Sequence, residues 1–154
     1  MDRFVKETLE SLGVSKSKGN PVGEYAEYLV SRAFDGIRMP NAKEGHDISL
    51  KDGTKIEVKG RVLEGSRVPM TYIKASTVSA NTFDYLVYVV LSENMRVKYA
   101  MKISHANFQK LAKYAEPSNA PPKWVFVAKQ SLLSSPLVED VTCEISSIEN
   151  EEIG

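Results

Sequence analysis

The sequence has one cysteine, no net charge and no long apolar run, and each shortage excludes a class of protein. The lone Cys143 can form neither an intramolecular disulfide nor a cysteine-based zinc cluster, so nothing indicates an oxidising compartment. No apolar run reaches the length that spans a bilayer, and residues 1–13 lack the apolar core of a signal peptide. We therefore expect a cytoplasmic protein with no membrane contact.

The charge balance does not by itself announce a nucleic-acid-binding protein. The 20 basic residues cancel the 20 acidic ones, and a strongly basic surface is the usual electrostatic sign of such binding. Basic residues do fall mainly in the first half of the chain, whereas the C-terminal end is acidic. A solvated surface with an acidic, frayed tail explains this distribution more simply than a dedicated basic face.

The length and composition predict one folded domain. A chain of 154 residues with 42% hydrophobic residues is long enough to bury a core without disulfides or structural metals. We expect a single domain over residues 1–154, with an N-terminal helix and loop at 1–19, a core at 20–130 and a disordered acidic tail at 140–154.

Two helices are predicted before residue 35. The apolar residues of the first helix lie at helical spacing and are Phe4, Val5, Leu9 and Leu12. Gly13 is a plausible end for this helix. The second is capped by Asn20 and has Pro21 in its first turn. Its buried side is predicted to hold Ala26, Leu29, Val30 and Ala33.

Strands dominate the rest of the chain. Alternating apolar residues predict a hairpin at 46–61, and the continuously apolar stretch DYLVYVVL at 84–91 is typical of a central strand covered on both faces. VKYAMKI predicts another strand, SHANFQKLAKYA a helix capped by Ser104, and WVFVA a last strand. The order α, α, β, β, β, β, α, β predicts an α/β (α+β) fold of three layers, with a central mixed β-sheet flanked by helices.

The loop of the hairpin decides whether two carboxylates meet. A two-residue turn at 52–53 would place Asp47 and Glu57 on opposite faces, because a one-residue change of register reverses every side chain. A three-residue loop at 51–53, with Gly53 left-handed in a bulge, would place the two acids opposite each other.

The apolar pattern selects the second register, because Ile48 and Ile56 then share one face. The other face carries Asp47, Ser49, Glu57 and Lys59. Directly opposed residues have Cβ atoms roughly 4.5 to 5.5 Å apart, and two like charges there repel unless a cation compensates. Magnesium suits such a site, because it prefers oxygen ligands and keeps several waters.

These residues resemble the PD-(D/E)XK, or restriction-endonuclease-like, nuclease superfamily. The matching stretches, in order, are GEYAEYLVSRAF on the helix, GHDISL on one strand and IEVKGR on the next. The match is close over residues 20–61 and loose beyond, and His46 stands where the family's proline would precede Asp47. The resemblance implies a restriction-endonuclease-like core and Mg²⁺-dependent endonuclease activity on DNA, with Mn²⁺ as a substitute and 5′-phosphate products.

The resemblance also implies the roles of the site residues. Asp47, Glu57 and the backbone carbonyl of Val58 are the expected metal ligands, and Lys59 would orient or deprotonate the attacking water. The helix supplies a third acid, for which the Gly-Glu-x-x-Ala match favours Glu24 over Glu27. A homodimer is expected, because one small site cannot cut both strands of a duplex at once.

Contacts to DNA are less defined. The segment at 63–82 is the expected specificity region, although an ordinary connector with part of a helix explains it equally well. The candidate DNA-binding residues are Arg61, Arg67, Tyr72, Lys74 and Lys43. His46 is expected to pack or face solvent, and His105 has no assigned role. Two alternatives stay open: a DNA-binding module of this fold without turnover, and an interaction protein with no role in nucleic-acid binding.

Overall fold

Two β-sheets are formed by the residues that the computed structural model describes, which are 3–11, 21–39 and 46–153. The strands, in chain order, are β1 (Ile37–Arg38), β2 (Ile48–Ser49), β3 (Lys55–Val62), β4 (Met70–Lys74), β5 (Tyr85–Leu91), β6 (Val97–Ser104), β7 (Lys113–Ala115), β8 (Lys123–Val127) and β9 (Glu139–Asp140). The larger sheet has the order β1-β2-β3-β5-β6-β9, and the smaller has the order β4-β8-β7. Strands β3 and β5 are parallel and the other paired strands are antiparallel.

Helices cover the larger sheet. They are α1 (Arg3–Ser11), α2 (Pro21–Ala33), α3 (Ala75–Ser79), α4 (His105–Leu111) and α5 (Thr142–Ile153), with a 3-10 helix at Gln130–Ser134. Within the described residues, none of these helices combines the length and the apolar character needed to cross a membrane.

Each face of the larger sheet packs on its own apolar core. On one face, α1, α2 and α5 bury residues such as Val5, Leu29 and Ile145 against β3 and β5. On the other face, the smaller sheet and helices α3 and α4 bury Phe126 and Phe108 against β5 and β6. The expected mixed α and β architecture, with a central mixed sheet flanked by helices, is therefore confirmed.

The local patterns that predicted the central strand and the fourth helix are confirmed. Strand β5 lies between β3 and β6, and all its residues after Tyr85 are buried, as expected for a strand covered on both faces. The hydroxyl of Ser104 accepts a hydrogen bond of 3.1 Å from the amide of Asn107 and caps α4. The predicted cap at Asn20 and the apolar Leu12 lie outside the described residues.

Four segments differ from the sequence-based expectation. Residues 113–115 form the edge strand β7 instead of continuing α4, because they pair with β8. Residues 63–82 contain the expected part of a helix, α3, but also the strand β4, which was not predicted. Strands β1 and β9 have two residues each, too short to produce an alternating pattern.

The acidic C-terminal end forms helix α5 where a disordered tail was expected. Ile145 and Ile148 are buried in the core, and Glu149 is 3% exposed. The Glu149 carboxylate accepts hydrogen bonds from the Val97 amide at 2.9 Å and from the Tyr25 hydroxyl at 3.2 Å. Composition suggested a frayed tail, but one buried acid and two isoleucines attach the helix to α2 and β6.

Gly60 allows α2 to approach β3 closely. A Cβ atom at Gly60 would lie 2.7 Å from Ala26 Cβ and 3.1 Å from the Val22 carbonyl oxygen. Both distances are shorter than normal contacts, and the backbone of α2 cannot yield as a side chain does. The glycine therefore sets the depth at which the helix and its acidic residues sit over the sheet.

Substituting Gly60 with alanine is expected to lower the free energy of unfolding by about 1–3 kcal/mol, because the added methyl group overpacks the helix–sheet interface. Urea denaturation of Gly60→Ala, Ala26→Gly and the double variant provides the measurement. Ala26→Gly alone should cost about 1 kcal/mol as a glycine within a helix. The double variant should lose less than the sum of the single losses, and strict additivity would show that the two Cβ positions do not conflict.

Candidate metal-binding and catalytic site

The hairpin β2–β3 adopts the register that brings its acids together. Gly53 has φ +92°, in the left-handed region, and the Leu50 amide donates to the Thr54 carbonyl at 2.8 Å. Ile48 pairs with Ile56, and both side chains are fully buried. The predicted three-residue loop with a left-handed glycine is confirmed.

Asp47 is held at the point where the β2–β3 ladder ends. Its amide donates to the Ile56 carbonyl at 2.9 Å, and its carbonyl accepts from the Met39 amide at 2.8 Å. One carboxylate oxygen, Oδ2, accepts from the Val58 amide at 2.7 Å. Backbone contacts on both sides therefore orient the Asp47 carboxylate toward β3.

Glu57 is hydrogen-bonded to Asp47. Burial, this hydrogen bond and the negative charges of Asp47 and Glu27 together raise the pKa of Glu57 to about 9, while Lys59 opposes the increase. A pKa raised this far favours one shared proton on the Asp47–Glu57 pair at neutral pH. Burial and the repulsion between two neighbouring carboxylates both favour the neutral form of one of them when no cation is bound.

Lys59 lies on the same face of β3 as Glu57. Strand alternation places the two side chains on one side, and Lys59 is the positive charge that opposes the rise in the pKa of Glu57. The three side chains Asp47, Glu57 and Lys59 border one cavity of about 370 Å³. The two acids and the lysine of the sequence motif therefore share a site.

The acids of α2 occupy different surroundings. Burial raises the pKa of Glu27 to about 7, and the negative charge of Asp47 acts in the same direction. Glu24 instead forms an ion pair with Arg38, which also lies 3.7 Å from Glu27. Arg38 thus contacts both acids, but Glu27 also interacts electrostatically with Asp47 and Glu57.

The oxygen atoms at this site are of the kind that binds a divalent cation. In an extended strand the N–H and C=O of one residue point to the same side, so the Val58 carbonyl faces the edge where its amide meets Asp47. Two carboxyl groups and a carbonyl are hard oxygen ligands, which fit Mg²⁺. Among the described residues, no group of three or more His, Cys, Asp or Glu side chains converges into a metal cage.

The candidate DNA-binding residues are placed unequally. Tyr72 and Lys74 on β4 border the same cavity as the acids. Arg61 donates hydrogen bonds to the Gly60 carbonyl and to Thr71 Oγ1, each at 2.7 Å, so it connects β3 to β4. Arg67 is exposed in the loop before β4, and Lys43 lies outside the described residues.

The two histidines make ordinary structural contacts. His46 is 6% exposed, and its Nε2 lies 2.8 Å from Ser49 Oγ, although the residue also borders the cavity. His105 Nε2 lies 2.7 Å from the Val78 carbonyl oxygen and connects α4 to α3.

Thr77 on α3 also borders the cavity, and sequence reasoning did not single it out. The alternation of Met70, Tyr72 and Lys74 with buried Thr71 and Ile73 was the available signal for β4. It was obscured because the strand is short and follows a loop with glycine and proline.

No protein-family model and no curated protein matches this sequence.

Proposed function

We propose that the protein is a Mg²⁺-dependent endodeoxyribonuclease with a restriction-endonuclease-like core, in which Mn²⁺ substitutes for Mg²⁺. The observation that carries the proposal is the contact of the Asp47 and Glu57 carboxyl groups beside Lys59 in one cavity. The resemblance of the helix and hairpin motifs to the PD-(D/E)XK superfamily agrees with this arrangement. DNA as the substrate and a homodimer as the active form are parts of the proposal.

The ligands would be the carboxylates of Asp47 and Glu57 and the carbonyl of Val58. When bound, Mg²⁺ acidifies the attacking water and offsets negative charge on the phosphate in the transition state. The Val58 amide fixes the orientation of Asp47, and the backbone of β3 fixes the distance from Glu57 to Lys59. Loss of the Glu57 proton would leave two carboxylates that can both bind the cation.

Lys59 acts on the substrate side of the site. Its ammonium group orients the attacking water and stabilises charge that develops on the phosphate oxygens. Glu27, with Asp47 and Glu57 in its electrostatic surroundings, is the better candidate for the helical acid than Glu24. We assign Glu24 the role of positioning Arg38, which in turn faces Glu27.

A cleavage assay tests the proposal. Purified protein is incubated with linear, branched and single-stranded DNA and with RNA, in Mg²⁺, Mn²⁺ or chelator. We expect DNA cleavage with 5′-phosphate products in either metal, none in chelator, and at least a roughly 100-fold lower rate for Asp47→Asn. The control is Asp52→Asn in the loop of the same hairpin.

The outcomes separate the proposed enzyme from its rivals. Salt-dependent DNA binding without cleavage in either metal would favour a DNA-binding module of this fold, and no binding at low salt would favour an interaction protein. Cleavage that persists equally in Asp47→Asn would place the chemistry elsewhere in the chain.

A further inference from the structure

The smaller sheet has one face that is apolar, aromatic and unusually exposed. The register of β4 and β8 opposes Met70 to Val127, Tyr72 to Val125 and Lys74 to Lys123 on this face. Met70 is 58% exposed and Tyr72 is 56% exposed, whereas Thr71 and Ile73 on the opposite face are buried. We call this surface the Tyr72 face.

The charged residues within the three strands of this sheet are all lysines. Lys74, Lys113 and Lys123 supply one from each strand, and the strands contain no acidic residue. Lys113 pairs with Val125, which pairs with Tyr72, so these lysines surround the aromatic ring on its own face. A polyanion matches this distribution of charge.

The Tyr72 face is continuous with the candidate catalytic cavity. Tyr72 and Lys74 border that cavity together with Asp47, Glu57 and Lys59. At the other end of the face, a second hollow of about 310 Å³ is bordered by Lys113, Val125, Val127 and Lys129, together with Leu111 and Leu132. The paired residues Tyr72 and Val125 connect the two hollows.

The exposed ring indicates which form of nucleic acid fits. The bases of a duplex stack on one another, whereas an unpaired base has a free face that stacks on an aromatic side chain. Lys123 Nζ lies 4.4 Å from the centre of the Tyr72 ring. A base that stacks on the ring would displace this ammonium group toward the adjoining phosphate. The Tyr72 ring would then contact the base, and Lys123 would pair with the phosphate.

We propose that the Tyr72 face binds a single-stranded segment of DNA that leads into the catalytic cavity. The preferred substrates are then single strands or branched DNA with an unpaired arm, and fully paired duplex is the poorer ligand. This inference rests on the proposed function, which identifies the polymer as DNA.

The test measures DNA binding without cleavage. Fluorescence anisotropy in chelator and low salt compares a labelled oligothymidine with a hairpin duplex of similar length. We expect the oligothymidine to bind more tightly, and Tyr72→Ala to weaken its binding roughly tenfold while weakening duplex binding much less. Tyr72→Phe should bind like the parent, because the ring is retained.

Matched controls come from the same sheet and from elsewhere on the surface. Tyr114 is 44% exposed on β7, and its register with Trp124 places it on the opposite face, so Tyr114→Ala should leave binding unchanged. Lys113→Ala and Lys123→Ala should each reduce the salt dependence of binding, whereas Lys98→Ala on β6 should not. Thermal melts establish that each variant is folded.

The outcomes distinguish this inference from the proposed function. Unchanged oligothymidine binding by Tyr72→Ala, or an equal loss for the duplex, overturns the inference even if the parent cleaves DNA. Selective loss in Tyr72→Ala supports the inference even if no cleavage is seen in Mg²⁺. Sedimentation of the same variants tests the remaining alternative, which is a second copy of this chain on the Tyr72 face. If the parent is a dimer that Tyr72→Ala abolishes without any change in DNA binding, the inference is overturned. The face is then an interface between copies.

Discussion

Substituting Lys59 with alanine is expected to lower the cleavage rate by a factor of roughly 10²–10⁴ while DNA binding and the fold persist. The lysine borders the cavity. In the proposed mechanism it would act on water and phosphate, whereas the carboxyl groups of Asp47 and Glu57 would hold the cation. Loss of Lys59 therefore removes charge from the transition state but leaves the cation ligands in place. Single-turnover cleavage with excess enzyme in saturating Mg²⁺ measures the rate.

Lys55 provides the matched control for Lys59. It lies four residues earlier on β3, its side chain is exposed, and strand alternation places it on the same face. Lys55→Ala should cleave at the parental rate. An unchanged rate in Lys59→Ala would remove this lysine from the mechanism, and an equal loss in both variants would indicate a general effect of positive charge.

The metal-free protein is expected to lose stability as the pH rises from 5 to 9. The folded pKa of Glu57 is raised from 4.5 to about 9, so the folded state holds a proton that the unfolded state has released. This contribution is complete below about pH 4.5 and is lost as the pH rises through the folded pKa. For each such proton, the free energy of unfolding falls by up to about 1.4 kcal/mol for every unit by which the pH rises.

Glu27 adds a smaller contribution of the same sign. Its pKa is raised from 4.5 to about 7, so its effect is confined to the lower part of this pH range. Chemical denaturation in chelator at each pH unit measures the combined slope. Glu57→Gln should remove most of the slope above pH 7, because the amide keeps the shape of the carboxylic acid and does not titrate.

An exposed acid controls for the general effect of charge. Glu139→Gln on the edge strand β9 should retain the parental slope. Added Mg²⁺ should stabilise the parent most at high pH, where the proton no longer competes for the Asp47–Glu57 pair, and should have little effect on Glu57→Gln. A parental slope in Glu57→Gln, or equal effects of Mg²⁺ on both proteins, would contradict the assignment of this pair.

The acidic pair does not behave as two opposed negative charges in the metal-free protein. Sequence reasoning treated Asp47 and Glu57 as like charges that repel each other across the hairpin. The hydrogen bond between them and the raised pKa of Glu57 mean that one proton already relieves the repulsion at neutral pH. If the pair binds a cation as proposed, that cation would have to compete with this proton.

Local sequence determined the hairpin and the elements on either side of it. The alternation of Ile48 and Ile56 with polar residues selects one register, because only that register buries both isoleucines, and Gly53 supplies the left-handed residue that the loop needs. The central strand and the Ser104 cap follow equally local rules. Each of these patterns is complete within about ten residues.

Contacts between distant segments decided the rest. The surroundings that distinguish Glu24 from Glu27 come from Arg38 and Asp47, which lie 11 to 23 residues away from these acids in the chain. The burial of the C-terminal helix depends on the contact of Glu149 with Val97 and Tyr25, and the Tyr72 face exists because β4 pairs with a strand about 50 residues later. Periodicity tells which side of an element is apolar, but the partner that covers that side, and the charges it brings, are set only when the chain folds.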